Sequence, residues 1–174
     1  MAKKKTKNNL GNVIISVLAI IVGALTCLPL FINVWVWKAT NSGGETLTDV
    51  GGYFEDMEAY EKLFNVGDDK LPVWGSTLAG VAVIVALVAT VIFALLAIVK
   101  MLGKSNKTLA SLQNLACLLM VLAGIVALVG SIAFVVMEYK GLFATYSMTM
   151  AFGAIAGFVF PIVGGVLGLI ANRK

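Results

Sequence analysis

The sequence alternates long apolar stretches, which hold no Asp, Glu, Lys or Arg, with short charged ones. The charge-free stretches are Asn8–Trp37, Leu71–Val99, Thr108–Met137 and Gly141–Asn172. A helix of about 20 apolar residues is long enough to cross a hydrocarbon core of about 30 Å. Each stretch therefore has room for one transmembrane helix with a few interfacial residues, and none has room for two.

This pattern predicts an all-α fold: a polytopic membrane protein with a single domain, built as a four-transmembrane-helix bundle. In chain order, the predicted segments are a basic cytoplasmic tail (1–11), the first span (12–37), an outer loop (38–72), the second span (73–99), a cytoplasmic loop (100–108), the third span (109–137), a second outer loop (138–146), the fourth span (147–171) and a cytoplasmic end (172–174). Composition supports the prediction, since 60% of the residues are hydrophobic, 13% are charged and the mean hydropathy is +0.97. A soluble domain is about 45–50% apolar and about 25% charged.

The remaining charges predict the orientation of the chain. The tail, the loop between the second and third spans and the chain end carry nine Lys or Arg and no acid, whereas all nine acids lie on the other side. By the positive-inside rule, both termini are cytoplasmic. All Trp and Tyr residues fall on the outer side, where an interfacial aromatic belt is expected. The Lys/Asn-rich start and an outer loop without cysteine favour the plasma (inner) membrane of a bacterium.

The first outer loop contains a predicted amphipathic helix at about 53–65. Tyr53, Met57, Tyr60 and Phe64 recur at helical spacing and lie on one face of that helix. Together with Phe54 they are the candidate partner-binding residues. The helix is either a lid over the bundle, which is favoured, or a docking surface for a partner. Its acidic residues lack the spacing of a calcium loop, so no metal site is predicted.

Small residues at four-residue spacing predict where the helices pack, because close backbone approach drives helix association in lipid. The candidate helix-packing residues are Gly153, Gly157, Gly164 and Gly168 in the fourth span and Ala82, Ala86, Thr90 and Ala94 in the second. The glycine stripe packs either within the chain or against another subunit, and packing within the chain is favoured. Pro29 and Pro161 are expected to bend their helices.

The predicted spans contain few side chains that could take part in catalysis or ion transport. They hold no ionisable residue of the kind that marks ion or proton pathways, and the chain has no histidine. Cys27 and Cys117 differ in predicted depth by about 10 Å, which is too far for a disulfide. Gln113 and Asn114 are polar residues that can bridge helices. We therefore predict no catalytic residue, cofactor or metal, no enzymatic activity and no binding of nucleic acid.

The layout of four spans, cytoplasmic termini, a larger first outer loop and a shorter second one resembles that of claudin-like tetraspan proteins. The resemblance is one of topology only. The Gly-Leu-Trp sequence and the cysteine pair of that family's first loop are absent here, so no residue role is carried over.

Two functions are compatible with these observations. The first is a non-enzymatic accessory or scaffold subunit that lies in the lipid bilayer and binds other membrane proteins or itself. The alternative is a homo-oligomeric channel or transporter for an uncharged solute. The sequence favours the first function, because it contains small residues for helix packing and an outer loop with a predicted amphipathic helix. It contains no recognisable catalytic or ion-conducting residues.

Overall fold

The computed structural model describes residues 2–41, 43–53, 74–102, 107–136, 139–140 and 144–173. Its helices are α1 (Ala2–Ala24, continued by a 3₁₀ segment, Leu25–Leu30), α2 (Trp74–Met101), α3 (Lys107–Val135) and α4 (Phe152–Asn172). Four helical segments are long and apolar enough to span a membrane, at Leu10–Leu30, Trp74–Met101, Lys107–Val135 and Phe152–Asn172. The prediction of four apolar helices compatible with a membrane bundle is confirmed, and they indicate a multi-pass membrane protein.

The helices form a bundle in which α2 packs along α3, α3 along α4, and α4 along α1. Because the helices alternate in direction, α1 and α3 begin, and α2 and α4 end, at the same end of the bundle. We call this the basic end, since Lys100, Lys107 and Arg173 lie there. The opposite end carries the β-strands and is called the sheet end.

In this bundle the small residues are buried and the large aliphatic residues are exposed, which is the reverse of the arrangement in a soluble protein. In α2 the buried positions include Ala79, Ala86 and Ala89, whereas Val88 and Leu95 are 55% and 59% exposed. A soluble bundle buries its large aliphatic side chains against one another. Here small residues allow close helix contact and large aliphatic side chains face outward, as expected for helices surrounded by lipid.

The sheet end contains a four-stranded antiparallel sheet. Its strands are β1 (Trp35–Asn41), β2 (Thr46–Gly51), β3 (Tyr139–Lys140) and β4 (Ala144–Met150), in the order β2-β1-β4-β3. The central pair, β1 and β4, joins residues from opposite halves of the chain, from Trp35↔Met150 to Asn41↔Ala144.

The sheet corrects one part of the sequence-based prediction. The fold is mostly helical but not all-α, because the segments Trp35–Asn41 and Ala144–Met150, next to the first and fourth helices, form strands instead of extending the helices. The helical part of the first apolar stretch ends at Leu30 and α4 begins at Phe152, while the limits of the membrane spans stay predictions. The amphipathic helix predicted at about 53–65 lies, beyond Tyr53, outside the described residues.

Glycines bring the helix backbones together in the middle of the bundle. A Cβ atom at Gly164 of α4 would lie 3.1 Å from Cα of Gly23 in α1 and 3.0 Å from Cε of Met120 in α3. Met120 is fully buried between these glycines, and a Cβ at Gly23 would lie 2.7 Å from Cγ2 of Thr90 in α2. All four helices therefore meet around one methionine side chain.

The contact between Gly168 and Cys117 predicts a specific effect of added volume. A Cβ at Gly168 would lie 2.5 Å from Sγ of the buried Cys117, so Gly168→Ala is expected to destabilise the protein by about 1–3 kcal/mol through overpacking. The measurement is reversible unfolding in detergent micelles. Combining Gly168→Ala with Cys117→Ala removes the obstructing sulfur, so the double variant should lose less stability than the sum of the single variants.

Gly11 in α1 supplies the matched control. A Cβ there would have no atom within 4 Å, so Gly11→Ala is expected to leave stability unchanged or to raise it slightly through helix propensity. Equal destabilisation by both substitutions would contradict the packing of Gly168 described here.

Candidate functional site at the sheet end

Backbone hydrogen bonds hold the sheet directly on the ends of the helices. The N–H of Ala151 donates to the carbonyl of Val34 at 2.9 Å, and the N–H of Gly153 donates to the carbonyl of Asn33 at 3.2 Å. Val34 in turn donates its N–H to the carbonyl of Gly51 at 2.8 Å. The segment between α1 and β1 is thus hydrogen-bonded to the residues at the start of α4, which fixes the sheet relative to the bundle.

Trp35, the first residue of β1, anchors the sheet in the apolar core. Its side chain is 0% exposed, and its Nε1–H donates to Oγ of Ser76 in α2 at 3.0 Å. The indole lies against the Phe134 ring of α3, with centroids 4.6 Å apart, and makes an edge contact with Tyr53 at 5.7 Å. One side chain therefore connects β1, two helices and the segment after β2.

Tyr53 enters the bundle from the end of β2. The residue is 4% exposed, and its hydroxyl oxygen lies 2.6 Å from the position that a Cβ at Gly157 would occupy. Burial raises the pKa of the Tyr53 hydroxyl to about 12, and the Ser131 side chain opposes this shift. Tyr53 thus fixes the start of the segment that follows it.

The outward surface of the sheet is rich in hydroxyl groups. Thr46, Thr48 and Lys38 are exposed on the two adjacent strands, and Lys38 pairs in register with Thr48 on one side and Ser147 on the other. Thr149 is exposed as well, and its Oγ1 donates to the carbonyl of Val36 at 3.2 Å. We call the exposed residues Lys38, Thr46, Thr48 and Thr149 the hydroxyl face.

The candidate partner-binding residues separate into two groups. Tyr53 packs in the interior in this structure, against Trp35 and beside Gly157. The other four, Phe54, Met57, Tyr60 and Phe64, lie outside the described residues, so their role stays a prediction.

The structure places the candidate helix-packing residues against other parts of the same chain. In α4, Cβ atoms at Gly153, Gly157, Gly164 and Gly168 would meet, respectively, Asn33, Tyr53, Gly23 and Cys117. In α2, Ala82, Ala86 and Thr90 are buried and Ala94 is partly buried. Thr90 Oγ1 also donates to the Ala86 carbonyl at 2.8 Å, which satisfies its hydroxyl within the helix. Gly164 and Gly168 thus lie at contacts between helices, whereas Gly153 lies against the segment between α1 and β1.

Within the described part of the chain, no three residues of the types His, Cys, Asp and Glu come together in a group that could hold a metal ion. Cys27 is half-buried and Cys117 buried, and both are free thiols. The sheet end therefore presents an anchored sheet with an exposed hydroxyl face.

Comparison with known protein families finds none that matches this sequence, and comparison with curated proteins finds no match either.

Sequence reasoning missed Trp35 as a core residue and missed the strands beside it. The Trp-x-Trp sequence at the end of the first apolar stretch matches an interfacial anchor equally well. The available signal was the alternation of β-branched residues in TLTDVG (46–51) and ATYSMTM (144–150), which has the period of a strand. The second of these segments lies near the beginning of the fourth apolar stretch, Gly141–Asn172.

The hydrogen bond between Trp35 and Ser76 predicts coupled stability effects. Trp35→Phe leaves the buried Ser76 hydroxyl without its donor and is expected to cost about 1–3 kcal/mol of unfolding free energy. In a double-mutant cycle, Ser76→Ala added to Trp35→Phe should cost less than it does in the wild-type protein. Additive costs would contradict the hydrogen bond.

The burial of Tyr53 predicts late ionisation. A difference titration of tyrosinate absorbance between the wild-type protein and Tyr53→Phe should have a midpoint near pH 12, compared with 10.0 after unfolding in denaturant. Because the folded-state pKa lies above the unfolded value, stability from neutral Tyr53 is complete below pH 10 and lost as the pH rises toward 12. A folded-state midpoint near 10 would mean that the hydroxyl is solvated.

Proposed function

We propose that this chain is a non-enzymatic accessory or scaffold subunit of a membrane that binds another membrane protein at its sheet end. The observation that carries the proposal is the hydroxyl face on a sheet fixed to the bundle by backbone hydrogen bonds and by Trp35. A rigid surface loses little conformational entropy on binding, which favours its use as an interface.

Tyr53 is followed in the sequence by the segment that carries the other candidate partner-binding residues. Tyr53 is buried in the bundle beside the sheet and so fixes the position at which that segment starts. Its candidate partner-binding residues are Phe54, Met57, Tyr60 and Phe64. We propose that these residues contact the same partner as the hydroxyl face. Apolar and aromatic side chains beside a polar rim are the composition typical of protein interfaces.

The packing of the bundle favours this function over transport. The interior is filled by Trp35 and Phe134 near the sheet end, by Met120 in the middle and by Phe93 toward the basic end, all of which are buried. The exposed sides of the helices are large aliphatic residues, such as Val88 and Leu95, which make a poor lining for a water-filled pore between copies.

The test is purification from the source membrane in native nanodiscs, followed by mass measurement and identification of co-eluting proteins. We expect a stoichiometric foreign membrane protein. Thr48→Lys in the hydroxyl face is expected to weaken its binding about tenfold, which corresponds to about 1.4 kcal/mol.

The control is Thr108→Lys, which makes the same change at an exposed threonine at the basic end and should leave recovery of the partner unchanged. A stable, partnerless monomer in native membranes would contradict the proposal. A pure homo-oligomer that supports flux of an uncharged solute in vesicles would replace it with the channel or transporter function.

A further inference from the structure

We propose that the basic end of the bundle binds the headgroup of an anionic phospholipid between α2, α3 and α4, with Lys100 and Asn172 donating to its phosphate and Gln113 accepting from a headgroup hydroxyl. This site is independent of the proposed partner binding at the sheet end. It is assembled from the ends of three helices.

Lys100 and Asn172 form the cationic side of the site. The Nζ of Lys100, near the end of α2, donates to Oδ1 of Asn172, the last residue of α4, at 2.9 Å, and the bond is partly buried. An amide oxygen orients the ammonium group but does not neutralise its charge. Two of the three ammonium hydrogens remain for another acceptor.

Two buried polar atoms, one in this pair and one in α3, have no hydrogen-bond partner in the described part of the chain. They are Nδ2 of Asn172, a donor, and Oε1 of Gln113, an acceptor. Gln113 is 1% exposed, so its carbonyl oxygen is not solvated by bulk water. Leaving such groups unpaired is unfavourable, and a ligand that supplies both an acceptor and a donor removes the penalty.

Helix geometry places these atoms at the same level. Cys117 of α3 and Gly168 of α4 are in contact, since a Cβ at Gly168 would lie 2.5 Å from Cys117 Sγ. Gln113 lies four residues before Cys117, and Asn172 lies four residues after Gly168. Because α3 and α4 are antiparallel, both steps lead about one helical turn toward the basic end and keep the same helix faces opposed.

Charge favours an anion at this position. The acids of the sequence lie between Glu45 and Asp69 and at Glu138, in the parts of the sequence between α1 and α2 and between α3 and α4. No acidic side chain of the sequence is therefore available in α2, α3, α4 or the α2–α3 connection to neutralise Lys100. A partly buried ammonium is stabilised by a negatively charged partner that also makes hydrogen bonds.

The surroundings favour a lipid over free phosphate. Leu95 and Ile98, which precede Lys100 in α2 and lie toward the middle of the bundle, are exposed apolar residues, at 59% and 51%. A phospholipid that places its phosphate at Lys100 can lay its acyl chains along such a surface. A headgroup with a hydroxyl, such as glycerol, also provides the donor that Gln113 Oε1 needs.

The test is a titration of detergent-purified protein with phosphatidylglycerol, and separately with phosphatidylcholine, with bound lipids counted by native mass spectrometry. We expect one phosphatidylglycerol to bind more tightly than any phosphatidylcholine. Lys100→Gln should weaken this binding about tenfold or more, as expected for loss of a charged hydrogen bond. Lys107→Gln removes an exposed charge at the same end and should weaken it less than about twofold.

Asn172→Asp keeps the proposal testable if Lys100→Gln does not fold. The new carboxylate would pair with Lys100 and take the place of the phosphate, so this variant should remain folded and lose phosphatidylglycerol binding. Lys100→Arg retains the charge and should retain binding.

Three results would overturn the proposal. The first is an equal loss of binding in Lys100→Gln and Lys107→Gln, which would indicate general attraction to a basic surface. The second is unchanged binding in Asn172→Asp. The third is displacement of phosphatidylglycerol by inorganic phosphate at equal concentration, which would identify a site for soluble phosphate.

Discussion

Close approach of helix backbones at glycine determines the width of the bundle and, through it, the position of every other feature. Gly164 faces Gly23 across α4 and α1, and Gly75 faces Gly130 across α2 and α3, with backbone atoms close to where a Cβ would lie. Lipid supplies no hydrophobic force between helices, so the contacts made possible by these glycines hold the bundle together. The atoms around these glycines belong to the backbone or to buried side chains, so a larger side chain at any of these positions would have little space.

The same spacing makes the sheet possible. Neighbouring strands lie about 4.8 Å apart, much closer than the 8–10 Å between packed helix axes, so the chain must converge as it leaves the bundle. The 3₁₀ segment after α1 and the bonds from Ala151 and Gly153 to Val34 and Asn33 accomplish this convergence. Trp35 then fills the space that opens between the helices below the strands. The sheet is thus a continuation of the α1–α4 contact and not an independent domain.

Local sequence patterns were sufficient for the spans but not for the sheet. The absence of charge over some thirty residues is a strong local signal for a membrane helix, and each charge-free stretch contains one of the four candidate spans to within two residues. The β1–β4 pairing joins residues more than one hundred positions apart, as in Trp35↔Met150, and no local pattern reports such a contact. The proposed site at the basic end could not be predicted from local sequence either. Gln113 can be recognised in the sequence as a polar residue in an apolar helix, but its position relative to Lys100 and Asn172 depends on how three helices pack.

The two ends of the bundle differ in the forces available to them. At the sheet end, hydroxyl groups on a rigid surface can exchange hydrogen bonds with water for hydrogen bonds with a partner, at small net energy per contact. At the basic end, Lys100 and the buried amides of Asn172 and Gln113 lie beside apolar surface, where an unneutralised charge and an unpaired polar atom are both costly. A phosphate there would stabilise the contact of α2, α3 and α4 without touching the strands. Because α4 follows β4 directly, firm packing of α4 along its length also favours a fixed sheet.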